Sequence, residues 1–563
     1  MKNIFLFVVF LLSFQMSTSQ SNSTEYDIVI YGGTSAGVIA AIQASRMGKS
    51  VVLIEPTSRI GGLTTGGLGQ TDIGNKQAIG GLSREFYENI KAYYDNPKNW
   101  KWQSKSEYRD GGQTMTKDNE KTMWTFEPSA ALTVFKQMME KENIKLVYNE
   151  RLNRKSGVQK TGKTINSITM LSGKTFIGDV FIDATYEGDL MATAGVSYTL
   201  GRESNEQYGE TLNGVQANRI NTTLTGSVSR NGLYHNFLTR VDPYVIKGNP
   251  ESGLLPNIVV NPGIVGEGDK KIQAYCFRMC LTDAPENRVP FKKPKVYNEL
   301  DYELLFRNYE ARTGVIRDMY FYGNSLLPWI NAGMPNRKTD TNNKFAFSTD
   351  YIGKNYEYPE ASYAEREKIV TDHRNYQMGL MWSLANHPRI PKEVRDEASR
   401  WGTAKDEFER PDGWQQQLYI REARRMVGAY VMTQYNCEGL HIPDDPIGLG
   451  AYGMDSHHVQ RYVDANGYAQ NEGNVEAHGF NPYPISYGSL VPKKEECENL
   501  IVPVCLSASH IGFGSIRMEP VFMVLGQSAA TAASLSIDNN VAVQDVPYQK
   551  LKTVLLKDGQ RLK

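Results

Sequence analysis

The sequence has few cysteines, and their spacing excludes the usual metal sites. Five cysteines stand among 563 residues, and because the number is odd, at least one thiol cannot pair within the chain. Cys276 and Cys280 are close together, but the chain has no C-x-x-C-x-x-C run and no paired C-x-x-C motifs. Iron–sulfur clusters and structural zinc need such groups of ligands. We therefore predict no metal site.

The sequence also lacks an excess of charge of either sign. Lysine plus arginine and aspartate plus glutamate are both 62. A neutral chain has no global field that would gather polyanions or attach the protein to an anionic membrane surface. We therefore predict no nucleic-acid partner.

Long apolar runs are scarce, and the one that stands out lies at the N-terminus. Lys2 precedes nine apolar residues, Ile4–Leu12, and the small polar run Ser17–Gln20 follows. This order predicts a signal peptide over residues 1–20 and an exported protein, periplasmic or extracellular. No later run approaches the roughly 20 apolar residues of a spanning helix, so we predict no transmembrane anchor.

The part after the signal peptide opens with a βαβ pattern. Tyr26–Tyr31 is a short β-branched run that ends at two glycines, as a buried parallel strand does before a tight turn. Small and apolar residues recur at helical spacing over Ala36–Met47, and Gly48 ends the pattern. Ser50–Glu55 is predicted to be a second buried strand. The three elements form one unit with a right-handed crossover.

The turn between the first strand and the helix has the pattern of a phosphate-binding turn. In a dinucleotide site, the first glycine makes the turn, the second lets the backbone reach the pyrophosphate, and the third lets helix pack on strand. Thr34 occupies the second place here, and Gly33 stands beside it. Backbone N–H groups at the helix start favour a phosphate, although a purely structural turn has the same pattern. The candidate contacts are Gly32, Gly33, Ser35, Ala36 and Gly37.

Two features after the second strand favour a nucleotide site. Glu55 ends that strand 23 residues after the first glycine, where a carboxylate accepts hydrogen bonds from ribose hydroxyls. A solvated glutamate at a strand end is the alternative. Five glycines follow within Gly61–Gly69, after Arg59, which could face a phosphate. The start of this loop, Gly61 and Gly62, resembles the two-glycine segment of glutathione-reductase-like flavoproteins, which points to FAD.

The rest of the chain alternates between recognisable elements and long loops. Pro128–Asn143 is predicted to be a helix, and four β-like runs after it resemble a β-meander: Lys145–Tyr148, Arg151–Gln159, Ile165–Leu171 and Thr175–Ile182. Residues 201–494 are rich in Gly, Pro, Asn and Tyr, with helices predicted at three places: Asp301–Arg312, Ala364–Ala385 and Gln415–Thr433. A buried strand at Leu500–Val504 and an apolar helix up to Leu535 are predicted to return the chain to the nucleotide domain.

Taken together, the motifs resemble the family of FAD-dependent oxidoreductases, distantly similar to the flavin-binding polypeptide of heterodisulfide reductase. The resemblance spans nearly the whole mature chain and rests on these segments: Gly32–Gly37, Glu55, Arg59–Gly62, Asp183–Leu190, Arg421–Arg425, Ser507–His510, Arg517–Pro520 and Leu525–Gln527. It implies an α/β fold, in which a Rossmann-type FAD-binding domain with a parallel sheet and a β-meander carries an inserted α+β substrate or cap region. The implied ranges are 26–200 and 495–545 for the FAD-binding domain, 201–494 for the cap region and 546–563 for a C-terminal tail.

The resemblance also implies further cofactor contacts. In flavoproteins of this kind, a stretch like the one that begins at Asp183 touches the cofactor, and Tyr186 stands here where a glycine is usual. The additional candidate contacts are Asp183, Ala184, Thr185, Asp189 and Gly526. The cysteine ligands of an iron–sulfur cluster are absent from this chain.

His510 and Arg517 are the candidate catalytic residues. His510 follows the last strand, and an imidazole titrates in the range that suits an acid or a base. A structural histidine that caps the loop is the alternative. The resemblance places Arg517 and the start of the last apolar helix beside the flavin ring, where both would stabilise negative charge. A surface pair with Glu519 is the alternative for Arg517.

Two other groups of polar residues are weaker candidates. The three histidines His457, His458 and His478 lie in a Gly-rich stretch together with Asp455 and Glu476, and they could line a substrate pocket or bind a metal. Arg421 and Arg425 lie one turn apart on the predicted helix. They could clamp a carboxylate or a sulfate of the substrate, or brace a domain interface, which we favour.

Three hypotheses of function follow. The leading one is an exported FAD-dependent oxidoreductase that transfers hydride to FAD from a hydroxyl-bearing carbon of a carbohydrate-like small molecule or glycan, with an unknown electron acceptor. The second is a redox-neutral flavin enzyme that cleaves a glycan. The third is a non-catalytic glycan-binding protein on a flavin fold, which Thr34 and Tyr186 in place of glycines would permit.

Overall fold

The computed structural model of the chain describes residues 23–111, 114–117, 119–217, 235–237, 240–311, 327–408 and 410–563. The predicted signal peptide, residues 1–20, lies outside the described residues. The strands are β1 (Ser23–Tyr31), β2 (Val51–Glu55), β3 (Lys145–Tyr148), β4 (Val158–Thr161), β5 (Thr164–Thr169), β6 (Thr175–Asp183), β7 (Tyr198–Thr199), β8 (Ile258–Val259), β9 (Met279–Thr282), β10 (Arg288–Val289), β11 (Trp329–Met334), β12 (Lys338–Asn343), β13 (Gly402–Ala404), β14 (Arg425–Met426), β15 (Pro446–Gly450), β16 (Met454–Ser456), β17 (Gln460–Val463), β18 (Ala469–Glu472), β19 (Val475–Ala477), β20 (Tyr483–Ser486) and β21 (Leu500–Ile501). The α-helices are α1 (Ser35–Arg46), α2 (Gly81–Asp95), α3 (Pro128–Lys141), α4 (Asp189–Thr193), α5 (Asn205–Tyr208), α6 (Glu303–Ala311), α7 (Tyr363–Asn386), α8 (Lys392–Arg400), α9 (Gln434–Cys437), α10 (His510–Ile516), α11 (Glu519–Asn539) and α12 (Tyr548–Lys557).

A seven-stranded sheet forms the nucleotide-binding part of the molecule. Its strands lie in the order β3-β2-β1-β6-β5-β4, and β21 pairs with the end of β6. The pairs among β3, β2, β1, β6 and β21 are parallel. Ile28–Ile30 of β1 is fully buried, as expected for a parallel strand that is covered on both faces. This arrangement confirms the predicted Rossmann-type fold class.

The predicted β-meander is confirmed in its later part only. β4, β5 and β6 form antiparallel neighbours, and β6 pairs along its whole length with β1 in the parallel part of the sheet. Lys145–Tyr148 is instead the outermost parallel strand, paired with β2. The meander therefore extends the sheet beyond β6, while the first of the four predicted runs belongs to the nucleotide-binding core.

Helices α1 and α11 pack against each other beside this sheet, and they bring the two ends of the described chain together. A Cβ atom on Gly526 of α11 would lie only 2.3 Å from the carbonyl oxygen of Ala36 on α1. The missing side chain therefore allows close contact between the helices. By length and composition α11 could cross a membrane, alone among the helices that the structure describes, yet 94% of its most apolar window is buried inside the protein. The absence of a transmembrane anchor stays a prediction.

A second, aromatic core lies in the region between β7 and β20. A five-stranded antiparallel sheet in the order β10-β13-β9-β12-β11 and the helices α6 and α7 surround it. Its buried side chains include Tyr275, Phe306, Trp329, Phe347 and Tyr376. Strands and helices of this part confirm the predicted α+β cap region, whose exact boundaries stay a prediction.

The predicted helix over Gln415–Thr433 is wrong. This described segment is extended and contains the two-residue strand β14. Its arginines reach carboxylates that lie on different sides of the chain, namely Arg421 with Asp350 at 2.9 Å, Arg424 with Asp189 at 2.9 Å and Arg425 with Glu203 at 2.7 Å. A helix would turn residues four apart to one face, so these buried ion pairs favour the extended backbone.

Candidate active site

The first glycine turn closes tightly against the end of β6. Gly32 has a φ of 106°, and a Cβ atom there would lie 2.7 Å from the backbone of Ala184. A Cβ atom on Gly37 would lie 1.9 Å from the carbonyl oxygen of Gly32. The Thr34 hydroxyl donates to the carbonyl oxygen of Ala184 at 2.7 Å, so it points into the turn. The first-turn N–H groups of α1 lack intrahelical partners and suit a phosphate.

Glu55 places a buried carboxylate beside this turn. Oε2 of Glu55 accepts a hydrogen bond from the N–H of Gly33 at 2.7 Å, and Oε1 accepts one from the N–H of Thr57 at 2.7 Å. Burial raises the pKa of Glu55 to about 7, although these hydrogen bonds oppose the shift. The carboxylate therefore lies where a dinucleotide presents its ribose hydroxyls.

The raised pKa of Glu55 predicts how the stability of the cofactor-free protein depends on pH. A carboxyl group whose pKa is higher in the folded state stabilises the fold below its ordinary pKa, and loses that effect as the pH rises through about 7. We expect the free energy of unfolding to fall by up to about 3 kcal/mol between pH 4.5 and pH 8.

Urea unfolding at several pH values measures this dependence, with Glu55→Gln as the comparison. The free energy of unfolding of the variant should fall less over the same pH range. Its remaining fall is expected from Asp183, whose pKa burial raises to about 6. An equal fall in both proteins would mean that Glu55 is not the source.

The second glycine loop begins with two left-handed residues, Gly61 and Gly62, with φ of 89° and 52°. Arg59 Nε donates to the carbonyl oxygen of Thr65 at 3.0 Å, and its guanidinium lies 5.3 Å from the ring centroid of Phe408. Arg59 therefore braces the loop from within in this structure.

The residues after β6 form a tight turn and one wall of a cleft. The Asp183 carboxylate accepts hydrogen bonds from the N–H and the hydroxyl of Thr185, at 3.0 and 2.7 Å, and from the N–H of Met191 at 2.8 Å. Asp189 forms ion pairs with Arg366 and Arg424. Both carboxylates therefore hold the protein together around the cleft.

A cleft of about 340 Å³ opens at the carboxyl ends of β1, β2, β3 and β6. Ligands bind at this edge of open α/β sheets, and the volume lies within the range of about 300–1,000 Å³ of small-molecule sites. Its walls include Tyr31, Pro56, Thr57, Ser58, Asn149, Thr185 and Asp189. Together with the Gly32–Gly37 turn and Glu55, this cleft fits the adenosine half of a dinucleotide.

The start of α11 connects the three segments that surround the glycine turns. The Glu519 carboxylate accepts hydrogen bonds from the hydroxyls of Ser35 at 2.6 Å, Thr64 at 2.7 Å and Tyr186 at 2.7 Å. The Tyr186 hydroxyl also accepts the N–H of Leu63 at 2.9 Å. Tyr186 therefore joins the second glycine loop to α11, a role that a glycine at this position could not fill. Ser35 joins the first glycine turn to the same carboxylate.

Arg517 lies next to this start of α11, at the edge of a group of charged side chains. Its Nη1 donates to the Tyr419 hydroxyl at 3.0 Å, and its Nη2 donates to the carbonyl oxygen of Asp455 at 2.8 Å. Nε of Arg517 is buried and has no hydrogen-bond partner in the described part of the chain. Tyr419 packs against Leu63 and Leu68, so the charged group begins directly at the second glycine loop.

The same group contains two half-buried carboxylates in different electrostatic surroundings. Burial raises the pKa of Asp72, and Arg278 only partly offsets this effect. Burial also opposes the charged form of Asp455, but the nearby His457 imidazole and the Arg517 guanidinium outweigh it and lower the pKa of Asp455. We call the whole group the polar cluster: Asp72, Arg278, Tyr419, Tyr452, Asp455, His457 and Arg517.

His457 has the geometry of a positioned base within the polar cluster. Its Nδ1 lies 3.1 Å from Oδ2 of Asp350, and its Nε2 lies 3.8 Å from Oδ2 of Asp455. Asp350 is fully buried and forms an ion pair with Arg421 at 2.9 Å. Burial lowers the pKa of His457, which favours the neutral ring, and its side chain remains 11% exposed.

His510 is bonded at both ring nitrogens and lies outside the polar cluster. Its Nδ1 is 2.8 Å from Oε2 of Glu422, and its Nε2 is 2.9 Å from the hydroxyl of Ser456. The side chain is only 2% exposed. Ser456 stands between Asp455 and His457 on the same strand end, so His510 supports the backbone that presents these two residues.

The five cysteines offer no reactive thiol. All of them are buried and free of disulfide bonds. Burial raises the pKa of Cys276 to about 11 and that of Cys437 to about 12. Because the thiolate is the reactive form, dithiol chemistry is disfavoured at these positions.

Sequence reasoning proposed His510 and Arg517 but missed Asp72, Arg278, Tyr419 and Asp350. The partners of these residues are distant in sequence, so composition and spacing gave no signal for them. The sequence did place His457 and Asp455 in one candidate pocket stretch, and the structure brings Nε2 of His457 within 3.8 Å of Oδ2 of Asp455.

Comparison with known proteins agrees with this geometry at the level of the family. A search among curated proteins finds no match. The family model described as FAD dependent oxidoreductase matches residues 27–555.

Solved structures give shorter matches. L-proline dehydrogenase from P. horikoshii is 16% identical, with 32% of this chain and 59% of that chain covered and a TM-score of 0.23. 3-Ketosteroid-delta4-(5alpha)-dehydrogenase from Rhodococcus jostii RHA1 is 18% identical, with 32% and 50% covered and a TM-score of 0.20. L-amino acid deaminase from Proteus vulgaris is 14% identical, with 32% and 53% covered and a TM-score of 0.22. The matched part thus spans 50–59% of each of these solved chains.

The family match covers nearly every described element, from β1 to the end of α12. The chain therefore belongs to the FAD-dependent oxidoreductases, and it binds FAD.

Proposed function

We propose that this enzyme removes a hydride from a hydroxyl-bearing carbon of a carbohydrate-like substrate that binds in the polar cluster. The observation that carries the proposal is His457, whose Nδ1 meets the buried carboxylate of Asp350 while its Nε2 faces Asp455. Oxidation of an alcohol requires a base that accepts the hydroxyl proton. His457 supplies such a base in the polar cluster, whose Tyr419 packs against the second glycine loop.

The residues of the nucleotide-binding part would hold the FAD. The N-terminus of α1 would bind the pyrophosphate, Glu55 would bind the ribose hydroxyls, and the cleft beside Thr185 would take the adenosine. FAD supplies the two-electron acceptor for the hydride. Arg517, with an unpartnered Nε at the start of α11, contributes positive charge on the side of the polar cluster.

The residues around His457 would have three separate roles in the reaction. Asp350 would hold the ring in one orientation and stabilise its protonated form, as a carboxylate does beside a catalytic imidazole. Asp455 and Arg278 would bind substrate hydroxyls, since carboxylates accept and guanidinium groups donate hydrogen bonds. Tyr419 would cover the polar cluster on the side of the glycine loop.

The carbohydrate-like substrate is favoured by the density of hydrogen-bonding groups in the polar cluster. A small apolar substrate would leave these groups unpaired, which costs about 1–3 kcal/mol for each buried group. A polyhydroxylated substrate can satisfy several of them at once. The electron acceptor that reoxidises the enzyme is a separate molecule.

A redox-neutral glycan-cleaving activity is the second candidate, and one observation favours it. The surroundings raise the pKa of Asp72 and lower that of Asp455. Paired carboxyl groups with separated pKa values suit an acid and a base. Such an enzyme would break a glycosidic bond without net consumption of an electron acceptor.

We further propose that the protein acts outside the cytoplasm. The support is the N-terminal pattern of Lys2, the apolar run Ile4–Leu12 and the small polar run after it. Cell fractionation with an antibody, together with N-terminal sequencing of the mature protein, tests this proposal. A protein that stays in the cytoplasm with residues 1–20 attached would contradict it.

Anaerobic mixing of the FAD-loaded enzyme with a panel of sugars and glycan fragments tests the proposed reaction. Loss of the visible flavin absorbance with an oxidised sugar product is the expected result. Cleaved glycan with no lasting bleaching, and with turnover that needs no acceptor, would instead support the redox-neutral activity. Bleaching by amino acids but by no sugar would overturn the proposed substrate class.

Replacing Gly37 by alanine is expected to weaken FAD binding by roughly tenfold to a hundredfold. The added Cβ would lie 1.9 Å from the carbonyl oxygen of Gly32, so the turn that receives the pyrophosphate must shift. Fluorescence titration of FAD into the cofactor-free protein measures the affinity.

Gly333→Ala is the matched control, because no atom lies within 4 Å of the position that its Cβ would take. The control should bind FAD as the unmodified protein does. If the Gly37→Ala variant bound FAD as tightly as the unmodified protein, this turn would not contact the cofactor.

A further inference from the structure

A second cleft, of about 890 Å³, lies beside the polar cluster. Four short segments form its walls: residues 74–77, residues 117, 119 and 120, residues 451–453 and residues 478–482. They carry the side chains of Lys76, Glu120, Tyr452, His478 and Phe480. We call this site the Tyr452 cleft. It shares no residue with the cleft at the carboxyl ends of the sheet.

Tyr452 is the wall between the Tyr452 cleft and the polar cluster. The negative charge of Asp72 raises the pKa of its hydroxyl, followed by burial and by Asp455, so the hydroxyl lies near both carboxylates. The ring meets His478 of the cleft edge-on, with centroids 6.1 Å apart. The backbone is anchored, because the Ser515 hydroxyl donates to the carbonyl oxygen of Tyr452 at 2.6 Å. Tyr452, whose backbone is anchored, therefore borders both the Tyr452 cleft and the polar cluster.

Aromatic and polar groups share the walls of the Tyr452 cleft. Tyr452 and Phe480 are both half-buried aromatic residues. Lys76 forms an ion pair with Glu120 at 2.9 Å and also donates to the carbonyl oxygen of Met115 at 2.6 Å, so both charged groups are held in place. This mixture suits a ring with one apolar face and a rim of hydroxyls, since the face packs on an aromatic ring and the hydroxyls bond to fixed polar groups.

Gly453 allows His478 to approach the floor of the cleft. A Cβ atom on Gly453 would lie 1.9 Å from Nδ1 of His478, so any side chain there would displace the imidazole. The Lys76–Glu120 pair and the imidazole thus provide both donors and acceptors around the aromatic walls.

We propose that the Tyr452 cleft binds the sugar unit next to the one that reacts in the polar cluster. The preferred substrate is then an oligosaccharide of at least two units rather than a free monosaccharide. This inference rests on the proposed function, because it assigns the reacting unit to the polar cluster. The Tyr452 cleft adds binding energy remote from the reacting carbon, which an enzyme uses to raise kcat/KM.

Sugar series of increasing length test the inference. The probes are glucose, cellobiose and cellotriose, and the one-, two- and three-unit members of the N-acetylglucosamine and galacturonic acid series. In at least one series, kcat/KM for flavin reduction is expected to rise tenfold or more from one unit to two. Equal kcat/KM at all lengths in every active series would overturn the proposal.

Phe480→Ala should remove the gain from the second unit while it leaves kcat/KM for the monosaccharide unchanged. The matched control is Phe291→Ala, another half-buried phenylalanine, which lines a different pocket. Flavin content and thermal unfolding report whether each variant folds. A loss of the same size on one-unit and two-unit substrates would contradict a separate subsite.

Direct binding separates failure of the inference from failure of the proposed function. If no sugar of any length bleaches the flavin, the proposed oxidation fails. Calorimetric titration with the same series then still tests the cleft, because a two-unit sugar should bind more tightly than a one-unit sugar, and Phe480→Ala should abolish the difference. Absence of this difference would overturn the subsite independently.

Discussion

His457→Asn is expected to slow flavin reduction by about a hundredfold to ten-thousandfold, the usual contribution of a general base. Asparagine can still donate to Asp350, as Nδ1 of the imidazole does in the protein, so the buried carboxylate keeps its partner. The substitution removes Nε2, which faces Asp455. Binding of FAD should not change, because the nucleotide-binding residues lie on other elements.

Stopped-flow measurement of flavin bleaching under anaerobic conditions gives the rate constant directly. Burial lowers the pKa of His457, so the neutral, basic ring persists to lower pH than it would in water. As the pH is lowered, the unmodified enzyme should therefore lose activity only at pH values below the ordinary histidine pKa. The variant should lose this acid limb of the pH profile together with the rate.

His441→Asn is the control for the substitution itself, because His441 lies against Tyr435, away from the polar cluster. The control should reduce its flavin at the unmodified rate. If His457→Asn reacts as fast as the control, another group takes the proton, and the proposed mechanism is wrong.

The sequence could predict the nucleotide-binding part because local chemistry determines it. The turn from Gly32 to Gly37 needs glycines where a Cβ atom would meet backbone, and Glu55 must end the second strand at a fixed distance from the first glycine. These constraints act within one βαβ unit. Local constraints could not predict the hydrogen bond of Thr34, because its hydroxyl donates to the carbonyl oxygen of Ala184, 150 residues away.

The substrate side could not be predicted in the same way, because partners distant in sequence define it. His457 and His510 look alike in the sequence, and only their neighbours differ. Asp350 meets His457 from 107 residues upstream, and Glu422 meets His510 from 88 residues upstream. The same long-range pairing made the helix over Gln415–Thr433 a wrong prediction. Local helix propensity is a weak preference, of at most about 1 kcal/mol per ordinary residue, and buried ion pairs outweigh it.

Loss of Lys338 should strongly destabilise the fold. This lysine is 1% exposed, and its Nζ lies 2.7 Å from Glu127, 2.9 Å from Asp406 and 2.8 Å from Glu407. Glu127 precedes α3 in the nucleotide-binding part, whereas Lys338 belongs to β12 in the cap region. Burial opposes the charge of Lys338, but the surrounding carboxylates outweigh burial and raise its pKa. One cation therefore joins the two parts of the molecule.

Lys338→Met is expected to lower the free energy of unfolding by about 3–5 kcal/mol, because it leaves buried carboxylates without their cation. Urea unfolding measures the loss. The control Lys392→Met removes an exposed i,i+4 partner of Asp396 and should cost less than about 1 kcal/mol.

The pH dependence of the loss identifies its cause. Burial already raises the pKa of Glu127, and without Lys338 this carboxylate should take up a proton at still higher pH. A folded state that binds protons more tightly than the unfolded state gains stability as the pH falls. The difference between Lys338→Met and the unmodified protein should therefore shrink toward acid pH. A difference that stays constant with pH would point to lost packing of the lysine stem rather than to uncompensated charge.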